Sequence, residues 1–435
     1  MLQTCSTTSE ISNLQRSESG DPIHPKNLII HKILYISYDG MTDPLGQSQV
    51  LPYVFGLKKR GYEFHVISFE KMDRYQQHHR TILQLFKENG VHWHPQDYQL
   101  SGGISTTLKQ VRRMHKVAKY LNEIHQFDIV HCRSYMPALT GLRMKRKYGT
   151  KFIFDMRGFW ADERIDGKIW SLDSPIYKQI FNYFKRKETQ FLLEADYSII
   201  GTENGYNEMH TWKSMQGQHP KTKVIPCCAD LDLFDPRKIE VEDQTTLRSK
   251  LGILPENFVL GYVGSIGTWY MLSEMLDYFN CLKTENDKAI FLFVSGEKPE
   301  YIKGEAEKKG IDPASIIVAS TLHSGVPLHL SLFDIAIFFI IPSYSKKAAS
   351  PVKQGEIMAM GIPLICNSGV GDTDSIVIKY NAGTVINELN DETYRSNFIQ
   401  KEMFDSEAIK AGALAYFSLE EGLNQYEWIY KKVLE

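Results

Sequence analysis

"SPVKQGEIMAMGIPLICN", Ser350 to Asn367, reads as one helix followed by one strand. Ser350 suits an N-cap, because its hydroxyl can accept from an orphan backbone N–H. Pro351 fits N1, where its missing donor costs nothing. Gly361 fits the C′ position, Pro363 blocks continuation, and "PLIC" suits a short buried strand. This spacing makes Lys353 the N3 residue, where a capping box would have Glu or Gln. An exposed cation there is disfavoured by about 0.3–1 kcal/mol. Two readings follow. A docked anion would remove the mismatch, since helix N-termini bind phosphates, and Glu356, three residues on and sharing the face, would then serve hydroxyl groups. Alternatively the two residues form an ordinary solvated ion pair.

The same helix-and-strand unit recurs outward in both directions. "KILYIS", "EFHVISF", "FDIVHCR", "KFIFDMR" and "ADYSIIGT" are strands, separated by helical patterns such as "VLPYVFGLKKRG" and "TTLKQVRRMHKVAKYLNEIH". Alternation restarts with "FVLGYVG", the helix "MLSEMLDYFNCLKTEN", "AIFLFVSG", "SIIVAS" and "LFDIAIFFI". Buried strands alternating with helices predict an α/β chain with two parallel, doubly wound sheets. The stretch 226–240, rich in Pro, Asp and charge, reads as the linker between a domain over 31–225 and one over 241–410. Residues 1–30 are polar and read as a disordered lead-in without the apolar stretch of a signal peptide. Residues 411–435 read as a helix with its own apolar stripe, expected to pack back across the domains.

Composition narrows the classes. The chain has 435 residues, 43% apolar and 23% charged, with a net charge of −2. That is ordinary for a globular protein and gives no reason to expect nucleic-acid binding. The six cysteines show neither CxxC spacing nor a Cys/His cluster, so they read as reduced thiols of a cytoplasmic protein, and no metal site stands out. No stretch is long and apolar enough for a membrane-spanning helix.

In open α/β sheets ligands bind beyond the carboxyl ends of strands. In the second half those ends carry "GSIGTWYM" from Gly264, whose glycines let a ligand approach the backbone or simply make a tight turn. The Ser350 helix and the loop "GVGDTD", Gly369 to Asp374, join it. In the first half, "DGMTDPLGQSQVLP" places Gly46 before a helix start, with Gln47 beside it. His131 and Arg133 end one strand; Asp155 ends another, with Arg157 and Glu163 following. Any of these could be structural, and Arg157 could simply pair with Asp155 or Glu163. Their shared position at strand ends favours function.

These residues carry a resemblance. "SPVKQGEIMAMGIPLICN" is similar to the donor-site segment of glycosyltransferase family 4, retaining enzymes of the GT-B fold. "YVGSIGTWY", "VIPCCADLDLF" and "ILYISYDGMTDPLGQSQVLPY" resemble one bacterial branch of it, and the likeness covers most of the chain after Lys32. The resemblance implies two Rossmann-like domains facing across a cleft, the first for acceptor and the second for donor. It implies a hexosyltransferase-type enzyme that moves sugar from a nucleoside-diphosphate sugar to a glycan or lipid-linked acceptor, as in polysaccharide biosynthesis. It implies no cofactor and no metal. Glu356 matches the second Glu of the family's E-x7-E motif, which binds ribose. Lys353 is assigned to the donor diphosphate. Gly264 and Gly267 match the phosphate loop, with Thr268, Ser350, Gly371 and Asp372 completing the donor site, and Gly46 matches the first-domain loop near both substrates. Gln47, His131, Arg133 and Arg157 are expected on the acceptor side, and Asp155 is the candidate acceptor-binding or base residue.

The departures matter as much. The first Glu of the motif would fall at Ala348, and the usual Arg and Lys of the phosphate loop are replaced by Thr268 and Trp269. Where many members have a second His after the one matching His131, this chain has Arg133. A non-catalytic nucleotide-sugar binder and an epimerase on the same fold therefore remain rivals. A nicotinamide dehydrogenase is disfavoured because neither half opens with GxGxxG. "SPIYKQIFNYFKRKE", 174–188, mixes aromatic and basic residues. It is either a peripheral contact for the inner membrane face or an ordinary amphipathic helix.

Overall fold

The computed structural model describes residues 30–99 and 103–435; the 1–30 lead-in expectation falls, but for Ile30, outside them. Among the described residues thirteen strands form two sheets, and every pairing within them is parallel. The first holds β1 (Lys32–Ser37), β2 (Glu63–Lys71), β3 (His92–Tyr98), β4 (Ile129–Arg133), β5 (Lys151–Asp155), β6 (Tyr197–Ile200) and β7 (Thr222–Val224). Their order is β3-β2-β1-β4-β5-β6-β7. The second holds β8 (Phe258–Val263), β9 (Ala289–Val294), β10 (Ile316–Ala319), β11 (Ile335–Phe338), β12 (Leu364–Asn367) and β13 (Gly383–Ile386), ordered β10-β9-β8-β11-β12-β13.

In each sheet the chain winds outward through three strands and returns beside the first. The direction therefore reverses between β1 and β4, and again between β8 and β11. Such switch points open a crevice at the strand ends. The loops after β1 and β8, the carboxyl ends of β4 and β5, and the segment from β11 through the Val352–Ala359 helix carry most of the residues singled out above.

Central strands such as β4, β9 and β11 are buried throughout, which is why they read as unbroken apolar runs. The tail is two helices rather than one. Ser406–Phe417 sets Ile409, Ala413 and Phe417 into the second domain's core, and Leu419–Leu434 sets Leu423, Tyr426, Ile429, Tyr430 and Val433 into the first's. The break falls at Ser418, whose hydroxyl caps the final helix through the Glu421 N–H. There the chain runs beside the linker: Ala229 N–H donates to Phe417 O at 2.8 Å and Leu419 N–H to Ala229 O at 3.2 Å.

Candidate functional site

β8 ends at Val263, and Gly264 turns the chain with φ of 116°. A side chain there would be strained, and its Cβ would stand 2.9 Å from Lys353 Nζ. The Val352–Ala359 helix is capped by Pro351, not Ser350. The Ser350 hydroxyl instead accepts from Cys227 N–H at 3.0 Å, tying the helix entrance to the linker. Lys353 is thus the second helical residue, one place earlier than the sequence spacing predicts.

Lys353 is buried, so the solvated ion pair does not form. Its ammonium donates to the Tyr262 hydroxyl at 2.9 Å and lies 3.7 Å from the centre of the Tyr270 ring and 4.1 Å from that of Tyr262. Tyr262 passes its own proton to Ser265 O at 2.7 Å. Burial pushes the Lys353 amine well below its ordinary value, against the opposing pull of Glu356. Two aromatic faces soften that penalty. Glu356 is buried and accepts from His323 Nε2 at 2.9 Å. His323 begins a short turn that lies beside the first-domain helix Pro44–Gln49. Gly267 and Thr268 are exposed at the loop tip.

Ala348 explains its own departure from the motif. It is 1% exposed and packs into the first domain's core, where a Cβ on Gly205 would sit 2.9 Å from the Ala348 Cβ. A glutamate has no room there. Gly371 and Asp372, expected beside the donor, are engaged in the same domain contact. Asp372 accepts from Glu203 N–H at 2.7 Å, Asn204 N–H at 3.0 Å and the Tyr416 hydroxyl at 2.7 Å. It therefore satisfies orphan donors of the Glu203–Thr211 helix. The Gly371 carbonyl accepts from the Asn204 amide. Lys346 pairs with Glu163 at 2.7 Å and lies 3.7 Å from the Trp269 ring centre.

In the first domain, Gly46 lies inside the Pro44–Gln49 helix rather than before it, and a Cβ would meet Gly40 O at 2.1 Å. Gln47 holds Thr42 O at 3.2 Å. The buried Glu70 carboxylate organises this loop through Met41 N–H at 2.8 Å and Thr42 N–H at 3.0 Å. Arg133 is 4% exposed; its Nε is 3.6 Å from Asp39, and its Nη1 is buried without a hydrogen-bond partner among the described residues.

Asp155 is 1% exposed. It pairs with Arg157 Nε at 2.7 Å, accepts from the Tyr426 hydroxyl at 3.2 Å and faces His131 Nε2 at 3.5 Å. His131 Nδ1 reaches the Tyr430 hydroxyl at 2.8 Å. Burial would raise the Asp155 carboxyl, but Arg157, His131 and Arg133 together hold it well below the usual carboxylate range. The cluster locks the last helix onto the first sheet. In place of an acceptor-facing base, the structure makes Asp155 a buried anchor, and Arg157 does pair with it.

Tyr262, Tyr270, His323 and Glu70 escape sequence reasoning. The two tyrosines flank the glycine loop in "YVGSIGTWY", a signal that was readable; His323, 33 residues from Glu356, has none.

Two doubly wound domains with their switch-point loops brought together define the GT-B architecture of nucleotide-sugar enzymes. Family models place the chain within it: Glycosyltransferase Family 4 matches residues 50–233, and Glycosyl transferases group 1 matches 243–400. The chain belongs to this family and is a glycosyltransferase. Among solved structures, a glycosyltransferase from Rickettsia africae is 16% identical with a TM-score of 0.67, covering 94% of this chain and 99% of its own. Anabaena Alr3699/HepE, solved with UDP-glucose, is 14% identical with a TM-score of 0.66, covering 92% and 99%. A putative UDP-N-acetylglucosamine 2-epimerase from Listeria monocytogenes is 12% identical with a TM-score of 0.58, covering 92% and 95%. No curated protein sequence matches the chain.

Proposed function

We propose that this glycosyltransferase binds a nucleoside-diphosphate sugar at the second domain and transfers the sugar, with retention, to a glycan or lipid-linked acceptor held by the first. The observation that carries the reading is Lys353: a buried amine, at a helix N-terminus, against a glycine turn whose φ would strain any residue with a Cβ. A diphosphate there would meet helix N–H groups and the ammonium together. Glu356, oriented by His323, is suited to ribose hydroxyls. Arg133, with a buried and unpartnered guanidinium arm, is suited to an anionic group on the acceptor side.

In the transfer, the bond from the anomeric carbon to the diphosphate oxygen breaks and the acceptor oxygen bonds to the same face. The acceptor proton passes to the departing phosphate. The protein's part is positioning and stabilising the leaving charge, with Lys353 as the principal cation.

The experiment is thermal shift with UDP, GDP, ADP, TDP and NAD for wild type and Lys353→Ala. Stabilisation by one nucleoside diphosphate, lost in the variant, supports the site. Stabilisation by NAD alone overturns it. NMR of the product's anomeric configuration tests retention, and conversion of free donor without acceptor would favour the epimerase reading.

Peripheral membrane contact through 174–188 is part of the same reading. No helix among the described residues is long and apolar enough to cross a membrane. The Pro175–Glu194 helix buries Phe184, Glu188, Phe191 and Leu192, and leaves Ile176 and Tyr183 exposed. Lys185 turns inward to Asp162 at 2.8 Å and Glu188 at 2.5 Å, which leaves Lys178, Arg186 and Lys187 for lipid headgroups. Liposome co-sedimentation unaffected by charge reversal at those three would remove the contact.

A further inference from the structure

Far from the cleft, at the opposite end of the first sheet, four histidines and a glutamate come together. Glu63 and His65 open β2, and His92 and His94 open β3. The two-residue side-chain period puts the members of each pair on one face, and the strands pair with His65 opposite His92. His125, the last residue of the Gly103–His125 helix, closes over that face with its ring 4.0 Å from that of His65. Ligand atoms of Glu63, His65 and His125 all lie within 4.8 Å of one another, the only such group of three among the described residues.

The geometry of the group suits a bound cation. His65 is 1% exposed. Its Nδ1 is 3.1 Å from His94 Nε2, and its Nε2 is 3.4 Å from Glu63 Oε1. His65 can adopt either tautomer between these partners; with Nδ1 donating to His94, the Nε2 lone pair and the Glu63 carboxylate face one point, where a cation would join them. The 3.4 Å separation is long for a hydrogen bond. It matches the edge, about 3.3 Å, of a tetrahedron with bonds of about 2.0 Å to nitrogen and oxygen. The arrangement also supplies what a metal-bound imidazole needs, a second partner that fixes its tautomer, here His94. His125 lies at a helix C-terminus, whose dipole favours a cation.

We propose that Glu63, His65 and His125 bind a divalent transition-metal ion of the Zn²⁺ type, with His94 orienting His65. Two nitrogens and a carboxylate oxygen form a donor set suited to zinc. The three ligands come from one strand and one helix end. The ion would clasp the Gly103–His125 helix to the sheet edge, at the end of the strands away from the donor loops, as a structural site.

The test is titration of Zn²⁺, by calorimetry and by melting temperature, into chelator-treated full-length protein without a histidine tag. His125→Ala and Glu63→Gln are compared with wild type, and the nucleotide thermal shift serves as a folding control at the distant site. The expected result is one equivalent bound at micromolar concentration or tighter, a raised melting temperature, and at least tenfold weaker binding in each variant with the nucleotide shift retained. Co²⁺ in place of Zn²⁺ should show the visible absorption of a four-coordinate ion. Binding unchanged by both substitutions would assign the zinc to scattered surface histidines and overturn the proposal, as would an absence of binding to wild type.

Discussion

Lys353→Met separates binding from folding. The side chain lies between Tyr262, Tyr270 and the Gly264 backbone, and methionine fills a similar volume without charge. In the free protein the amine is depressed by burial, so the unfolded chain holds a proton that the native state resists. The resulting penalty is full below the depressed value and gone above the ordinary 10.5, so native stability gains from this group as pH rises. Removing the amine removes the penalty, and the free variant should melt at or above the wild-type temperature at neutral pH. Binding should respond oppositely. Truncating one partner of a buried charged contact costs about 2–5 kcal/mol. A nucleotide at 100 times its dissociation constant adds about 2.7 kcal/mol to wild type. Even the low end, about 30-fold weaker binding, leaves less than about 0.9 kcal/mol at the same concentration. Differential scanning fluorimetry with and without the stabilising diphosphate reads both effects. Calorimetry across pH adds a third: a diphosphate that recharges Lys353 takes up a proton, so affinity falls as pH rises, by up to about tenfold per unit. A variant that keeps the wild-type nucleotide shift, or whose free form melts far below wild type, refutes the assignment.

Glu356→Gln should weaken donor binding by about 10- to 100-fold, the usual worth of a hydrogen bond to a charged group, and His323→Ala should do so less; calorimetry with UDP-sugar and free UDP checks both. Ala348→Glu, which restores the family motif on paper, should destabilise by about 3 kcal/mol or more by burying an unpaired carboxylate in a filled space, and urea denaturation reads the loss. Asp155→Asn should flatten the acid limb of the stability curve. The depressed Asp155 carboxyl contributes stability that is whole above its ordinary 3.8 and lost as pH falls through its depressed native value, so the variant should be weaker at pH 7 and the gap should begin to narrow below about pH 4. Gly264→Ala should lower both melting temperature and donor affinity, the first because φ of 116° strains a residue with a Cβ and the second because that Cβ would stand 2.9 Å from Lys353 Nζ.

The fold was legible because buried parallel strands leave an unmistakable trace: short apolar runs separated by amphipathic helices, restarting after a polar linker. Lys353 stood out for the opposite reason, as a cation in the first turn of a helix; the sequence spacing put it one place too late, and its burial between Tyr262 and Tyr270 was not readable. What stayed hidden depends on contacts between distant segments. Nothing in "YDGMT" announces that Glu70 will hold it, and nothing near Glu356 announces His323. Asp155 sits at a strand end like a catalytic group, and only the arrival of Tyr426 and Tyr430 from the last helix shows it is covered. The His65 cluster escaped for the same reason: its residues fall at 63, 65, 94 and 125, a spacing with no metal signature until strand pairing and a helix end unite them.

Ala348 and Asp372 bear on how the two domains work together. In the family pattern, position 348 would present a carboxylate to the transferred sugar. Here it is the point where the second domain enters the first, and Asp372 caps a first-domain helix beside it. The same segment carries Lys346, which reaches back to Glu163. Residues 344–372 therefore join the domains at both flanks of the Lys353 helix while leaving its N-terminus against the glycine loop. On the proposed reading a donor there meets Lys353 through its diphosphate and Glu356 through its ribose, and the buried Ala348 leaves the sugar to other residues. Selectivity for the sugar should then be set by residues other than position 348, the reverse of what the unbroken motif would dictate.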